Sequence, residues 1–235
     1  SGAGKSVLAA VAGRLIDPDE GHVLLDGVRL DRLTHEALRT EVAYAFERPV
    51  LGEGTVAEAI ATGARRPSRE RVRQAARAAG ADGFVRRLPH GYGTPLPRAP
   101  LSGGEHQRLG LARAFAHAGR LLVLDDATSS LDTATEHEVD LALRRSVRPG
   151  TRLVVAHRPS VADRADLVLW LEEGQVRAVG THRELWHTAG YREVFGAGAG
   201  ADAGADAGPG PGPGPGVGGS VPGAVRRPEP EEARP

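Results

Sequence analysis

"RLLVLDDA", residues 120–127, carries an unbroken apolar run that ends in two adjacent carboxylates. An apolar run without polar alternation, bounded by polar residues, is what a strand buried on both faces of a parallel sheet requires. "TRLVVAHR" (151–158) repeats the pattern and predicts a second buried strand, and "EVAYAF" (41–46) predicts another strand. "TATEHEVDLALRRSV" (133–147) and "SVLAAVAGRL" (6–15) predict helices, and helical patterns dominate from about 55 to 117. The Arg-rich faces of that stretch read as solvated surface. Asp26-Gly27 between two apolar runs (21–33) predicts a hairpin, and "DLVLWLEEGQVRAVG" (166–180) a strand, turn and strand. Strands alternating with helices imply an α/β domain.

Composition narrows the class. Thirty Lys plus Arg against thirty Asp plus Glu give zero net charge, so there is no electrostatic case for nucleic acid or an anionic membrane surface. Cysteine is absent, which excludes disulfides and thiolate metal sites and fits a cytoplasmic location. No apolar run reaches the roughly 18 residues of a membrane span. Methionine is also absent, so the expectation is an internal or C-terminal piece of a longer chain. From "GAGAGADAGADAGPGPGPGPG" onward almost nothing can be buried, which predicts a domain over 1–195 and a disordered tail over 196–235.

"SGAGKS" (1–6) holds the only lysine of 235 residues. A composition that favours Arg everywhere else makes Lys5 informative, because an ammonium is a compact point charge and a guanidinium a wide planar fork. From Gly2, the stretch matches the end of the phosphate-loop pattern G-x-x-x-x-G-K-[ST], whose first Gly would precede Ser1. Such glycines let backbone N–H groups close around phosphate oxygens, and the helix that follows points its positive end there. Ser1, Gly2, Ala3, Gly4 and Val7 would line that cradle, Lys5 would reach the β- and γ-phosphates, and the Ser6 hydroxyl would bind Mg²⁺. In phosphate-loop NTPases an Asp at the end of an apolar strand helps to hold Mg²⁺, the position of Asp125.

"LSGGE" (101–105), followed by "HQRLGLARAF", resembles the signature of ATP-binding cassette (ABC) domains. The order matches too: phosphate loop, signature, "VLDDATSSLD" (123–132), then "VVAHR" (154–158). The resemblance covers about 1–193 and implies a P-loop NTPase with a RecA-like core: a mainly parallel sheet, a small antiparallel β region and an inserted helical subdomain over about 55–117. "ERPVLGEGTVAEAIA" (47–61), "LPHGYGTPL" (88–96) and "GTHRELW" (180–186) resemble the exporter branch. That branch implies a permease domain upstream, a place on the cytoplasmic face of the membrane, and two cassettes that sandwich two ATP molecules head to tail. Ser102, Gly103, Gly104 and Glu105 would face the partner's ATP, Asp132 would lie at the seam, and His157 would hold the γ-phosphate.

Several residues depart from the family pattern. Asp126 stands where a Glu usually polarises the attacking water, so its carboxylate is one methylene shorter. Glu47 replaces the Q-loop Gln at a position that meets Mg²⁺ and the water, and Glu105 replaces the last signature Gln. "PLPRAP" (95–100) is shorter than the usual acidic linker, and the aromatic that stacks on adenine would precede Ser1. Most departures fall on this chain's own ATP site, as in the weakly hydrolysing half of a heterodimeric exporter. A slow but active homodimer, a soluble cassette ATPase and a non-functional fragment are the other readings left open.

Overall fold

The computed structural model describes residues 2–63, 66–146 and 150–196. Ser1 and the predicted tail therefore lie outside the described residues, except Gly196, which closes the last helix.

Helix α1 (Lys5–Ala12) starts directly from the glycine stretch. Its N-cap is Gly4 at φ 88°, a left-handed conformation that costs an L side chain free energy but not glycine. Strands β1 (Leu24–Leu25) and β2 (Val28–Arg29) form the expected hairpin. Asp26 and Gly27 take φ 50° and 80°, the two left-handed residues that a tight type I′ turn demands. Helix α2 (His35–Glu41), capped by the Thr34 hydroxyl, runs straight into β3 (Val42–Phe46).

Four helices follow: α3 (Val56–Ala61), α4 (Arg69–Ala78), α5 (Asp82–Val85) and α6 (Gly103–Ala116). Strand β4 (Leu121–Asp125), α7 (Thr133–Ser146), β5 (Thr151–Val155) and α8 (Pro159–Asp163) return the chain to the sheet. A second hairpin, β6 (Val168–Glu172) and β7 (Gln175–Gly180), leads to α9 (His182–Leu185) and α10 (Ala189–Gly196). Trp170, His182, Trp186, Tyr191 and Phe195 pack ring against ring and fix these last helices to β6.

The central sheet runs β3-β4-β5, parallel throughout. Side chains of β4 alternate between two cores. Leu122 and Leu124 join the cluster that holds Ile60, Leu109, Phe115 and Val139, from α3, α6 and α7. Leu121 and Val123 join Ala9 of α1 and Leu38 of α2 on the opposite face. Leu122 is fully buried, and its truncation to Ala would cost about 2–5 kcal/mol.

Two expectations change. Strand β5 is not buried: Thr151 is exposed and Val154 is 41 % exposed. Among the described residues β5 pairs only with β4, so its second edge has no strand to cover it. The Arg side chains of 69–113 are not all solvated surface either. Arg71 donates to the Phe115 carbonyl at 2.8 Å, Arg113 to the Val50 carbonyl at 2.6 Å, and Arg108 lies over the Phe84 ring.

Candidate functional site

The sheet itself assembles the site. Phe46, Asp125 and Val155 lie in one register row at the carboxyl ends of β3, β4 and β5. Glu47, Asp126 and His157 follow within two residues of that row. Open parallel sheets bind ligands outside this edge, because every loop there leaves the ladder together.

Two side-chain pairs join residues far apart in sequence. Ser6 at the start of α1 donates its hydroxyl to Asp125 Oδ1 at 3.0 Å. His157 Nε2 lies 3.1 Å from the Asp126 carboxylate. Asp126 has φ 50°, a left-handed backbone that Asp tolerates better than most residues and that turns its side chain off the strand path. Glu47 is exposed immediately after β3.

The phosphate-loop residues Gly2 to Val7 form the turn and first helical residues expected of them, and Lys5 opens α1 half-buried. Ala3 accepts a hydrogen bond from Gly174 of the β6–β7 turn, a contact nothing in the sequence announces. Ser102 is the N-cap of α6 and Gly103 and Gly104 its first turn. Glu105 closes a capping box: its Oε2 accepts from the Ser102 amide at 2.9 Å and the Ser102 hydroxyl at 3.0 Å, and its own amide donates to Ser102 Oγ. Those bonds hold the Glu105 carboxyl below the usual carboxylate range, the Ser102 amide contributing most. The Ser102 hydroxyl proton is thus engaged inside its own chain. Asp132 caps α7 in the same way, accepting from the Thr135 amide at 2.9 Å, which lowers its pKa.

Among the described residues no hydrogen bond joins the signature residues 102–105 to the loop 2–7. The start of α6 instead borders a cavity of about 350 Å³ lined by Glu47, Arg48, Pro49, Gly103, His106 and Ser130.

Three site-proximal residues escaped the sequence reading. Tyr44 lies beside Asp125, and burial first, then that carboxylate, push its phenol up to about 12. Glu136 of α7 is buried, accepts from Thr128 at 3.0 Å and pairs with Arg158, the residue after His157. Gln107 of α6 is 2 % exposed and bonds the Glu47 and Asp126 carbonyls. A readable signal existed for Gln107: it sits four residues before Leu111 and three after Gly104, on the apolar stripe of its helix.

Among the described residues no helix is long and apolar enough to cross a membrane, and no cluster of three or more His, Asp or Glu side chains is gathered as a metal cage. The sequence pattern of the family described as "ABC transporter" matches residues 1–129.

The chain belongs to the ABC transporter family.

It is similar to the ABC transporter ATP-binding protein RamA of Streptomyces coelicolor, 89 % identical across 100 % of this chain and 39 % of that protein. It is 44 % identical to an ATP-dependent lipid A-core flippase of Chromohalobacter salexigens, over 79 % of this chain and 32 % of the flippase. A bacterial Atm1-family ABC exporter solved with ATP bound superposes with a TM-score of 0.76 at 35 % identity, covering 85 % of this chain and 36 % of that one. This ABC domain therefore has the P-loop NTPase fold and corresponds to the ATP-binding part of such longer ABC proteins, the flippase and the Atm1-family exporter among them. It spans less than half the length of those relatives.

Proposed function

We propose that this ABC domain binds Mg²⁺·ATP at the carboxyl edge of its sheet and hydrolyses it slowly, as one of two cassettes that drive export through a membrane domain. The observation that carries the reading is the pairing of Ser6 with Asp125 and of Asp126 with His157 at one sheet edge.

The residues fit the ion. Mg²⁺ takes hard oxygen ligands, typically one or two carboxylates with waters and substrate phosphates, not an all-protein cage. Ser6 Oγ and Asp125 Oδ1 already converge at 3.0 Å, and Glu47 follows Phe46, the register partner of Asp125. Bound there, the ion would neutralise charge on the β- and γ-phosphates. The amides of residues 1–4 and Val7 would cradle phosphate oxygens, with Lys5 supplying the cation. His157 would hold the γ-phosphate and Asp126 would orient the attacking water.

Asp126 supports slow turnover. Its carboxylate is one methylene short and is held on His157. A displacement of about 1 Å at a positioning group can cost roughly a hundredfold. Glu47 adds negative charge beside the γ-phosphate. Ser102, Gly103, Gly104 and Glu105 would face a second cassette's nucleotide, with Asp132 at the seam between the two. The helical stretch 55–117 would be the inserted subdomain, and the membrane domain would hold this one at the cytoplasmic face. No role for nucleic acid is proposed, since the net charge is zero.

The test is calorimetric titration of Mg²⁺·ATP into the full-length protein and its Lys5→Ala variant. Saturable binding that the variant weakens at least tenfold supports the reading. Equal binding by both proteins overturns it.

A further inference from the structure

Helix α6 grips the segment after β3 along three successive i+3 positions. At the first, the Gln107 amide nitrogen donates to the Glu47 carbonyl at 3.2 Å. At the second, Gly110 lies so close to Pro49 that a Cβ would stand 2.4 Å from the proline's own Cβ, so only glycine permits the approach. At the third, Arg113 donates to the Val50 carbonyl at 2.6 Å. Residues 47–50 are thus fastened to the helix that begins at Ser102.

Gln107 also reaches a second loop. The same nitrogen donates to the Asp126 carbonyl at 3.3 Å. A side-chain amide carries two N–H donors, one for each carbonyl, and its orientation is settled because both partners are pure acceptors. The side chain is 2 % exposed, and its Oε1, also buried, has no protein partner. A buried amide left partly unpaired costs free energy, so its retention needs a reason beyond packing. The two carbonyls it joins belong to the residues that carry the Glu47 and Asp126 carboxylates.

We infer that Gln107 is a positioning residue for hydrolysis: it ties the peptides of Glu47 and Asp126 to each other and to the helix whose start faces the partner cassette. A shift of that helix start then moves both carboxylates of the same chain. Gln107 acts through these two peptides. The inference rests on the proposed placement of Glu47 and Asp126 at the ATP site.

The test uses the full chain as it occurs in the cell, with Gln107→Met, which keeps the volume and removes both donors, beside Arg113→Ala, which releases Val50 alone. Amide hydrogen exchange is measured over 47–51 and 126–131, together with steady-state ATPase. In Gln107→Met both loops exchange several-fold faster with α1 unchanged, and kcat falls about tenfold or more while the KM for ATP holds. In Arg113→Ala only the first loop quickens. Unchanged exchange in both loops of Gln107→Met overturns the inference. If that variant does not fold, Gln107→Asn, with its amide one methylene short, is read by the same criteria. Should the wild-type protein fail to bind ATP, the proposed function fails, but the exchange data still decide the coupling.

Discussion

His157 Nε2 stands 3.1 Å from the Asp126 carboxylate, although the two residues leave different strands and lie 31 positions apart. The pair exists because β4 and β5 are parallel and in register at Asp125 and Val155. Replacing His157 by Ala removes the proposed γ-phosphate contact and frees Asp126. The expected result is loss of residual hydrolysis by a hundredfold or so with nucleotide binding retained, checked by single-turnover hydrolysis beside a binding titration.

The Ser6–Asp125 pair predicts a metal-linked effect. Asp125→Asn removes the charge that would hold Mg²⁺ while preserving shape. Affinity for Mg²⁺·ATP drops about tenfold or more, whereas affinity for metal-free ATP changes little. Titrations with Mg²⁺ and with excess chelator separate the two, and equal losses in both would count against the assignment.

The capping box at α6 predicts opposite consequences for its two members. Ser102→Ala costs roughly 1 kcal/mol of stability through the lost cap. Glu105→Gln keeps an oxygen acceptor for the Ser102 amide and removes a full charge from the face proposed to meet the partner's phosphates. Stability then changes by under about 1 kcal/mol, and ATP-driven pairing of the two cassettes tightens, most visibly at low salt. Thermal unfolding and ATP-dependent crosslinking across the cassettes are the respective measurements.

His117, at the end of α6, predicts a pH dependence. Burial holds its ring below the ordinary imidazole value, and Arg113 and Arg71 push the same way against the backbone groups of Ala61 and Ile60. The folded chain thus prefers the neutral ring. Above about pH 6.5 the folded and unfolded states are both neutral there, and the stabilisation is complete. As pH falls through that value the unfolded chain takes up the proton first, and stability is lost toward the lower folded value. The unfolding midpoint is expected to fall between pH 7.5 and 5.5, with a shallower slope in His117→Gln. An identical slope in both proteins contradicts the assignment.

Much of this arrangement was legible because period and punctuation are local. Asp26-Gly27 announced its hairpin through the backbone that a two-residue turn requires, and the apolar run of β4 announced a strand covered on both faces. The run of β5 looked the same, but among the described residues it pairs only with β4, and a strand's neighbours are not encoded in its own sequence. Ser6, Asp125, Asp126 and His157 were legible as motif members, while their pairing came only with the register. Glu136 and Arg113 were not legible, because a polar side chain on a helix reads as solvent-facing until something shows which carbonyl or cation it meets, and for Gln107 the apolar stripe told burial but not the two carbonyls it bonds.

The central claim, that this chain's own site hydrolyses slowly because Asp126 is short, is tested most directly by steady-state ATPase of the full-length protein with and without Asp126→Glu. A low wild-type rate that rises at least tenfold in the variant, at unchanged KM for ATP, is the predicted result. A fast wild-type rate that the substitution leaves unchanged would contradict it.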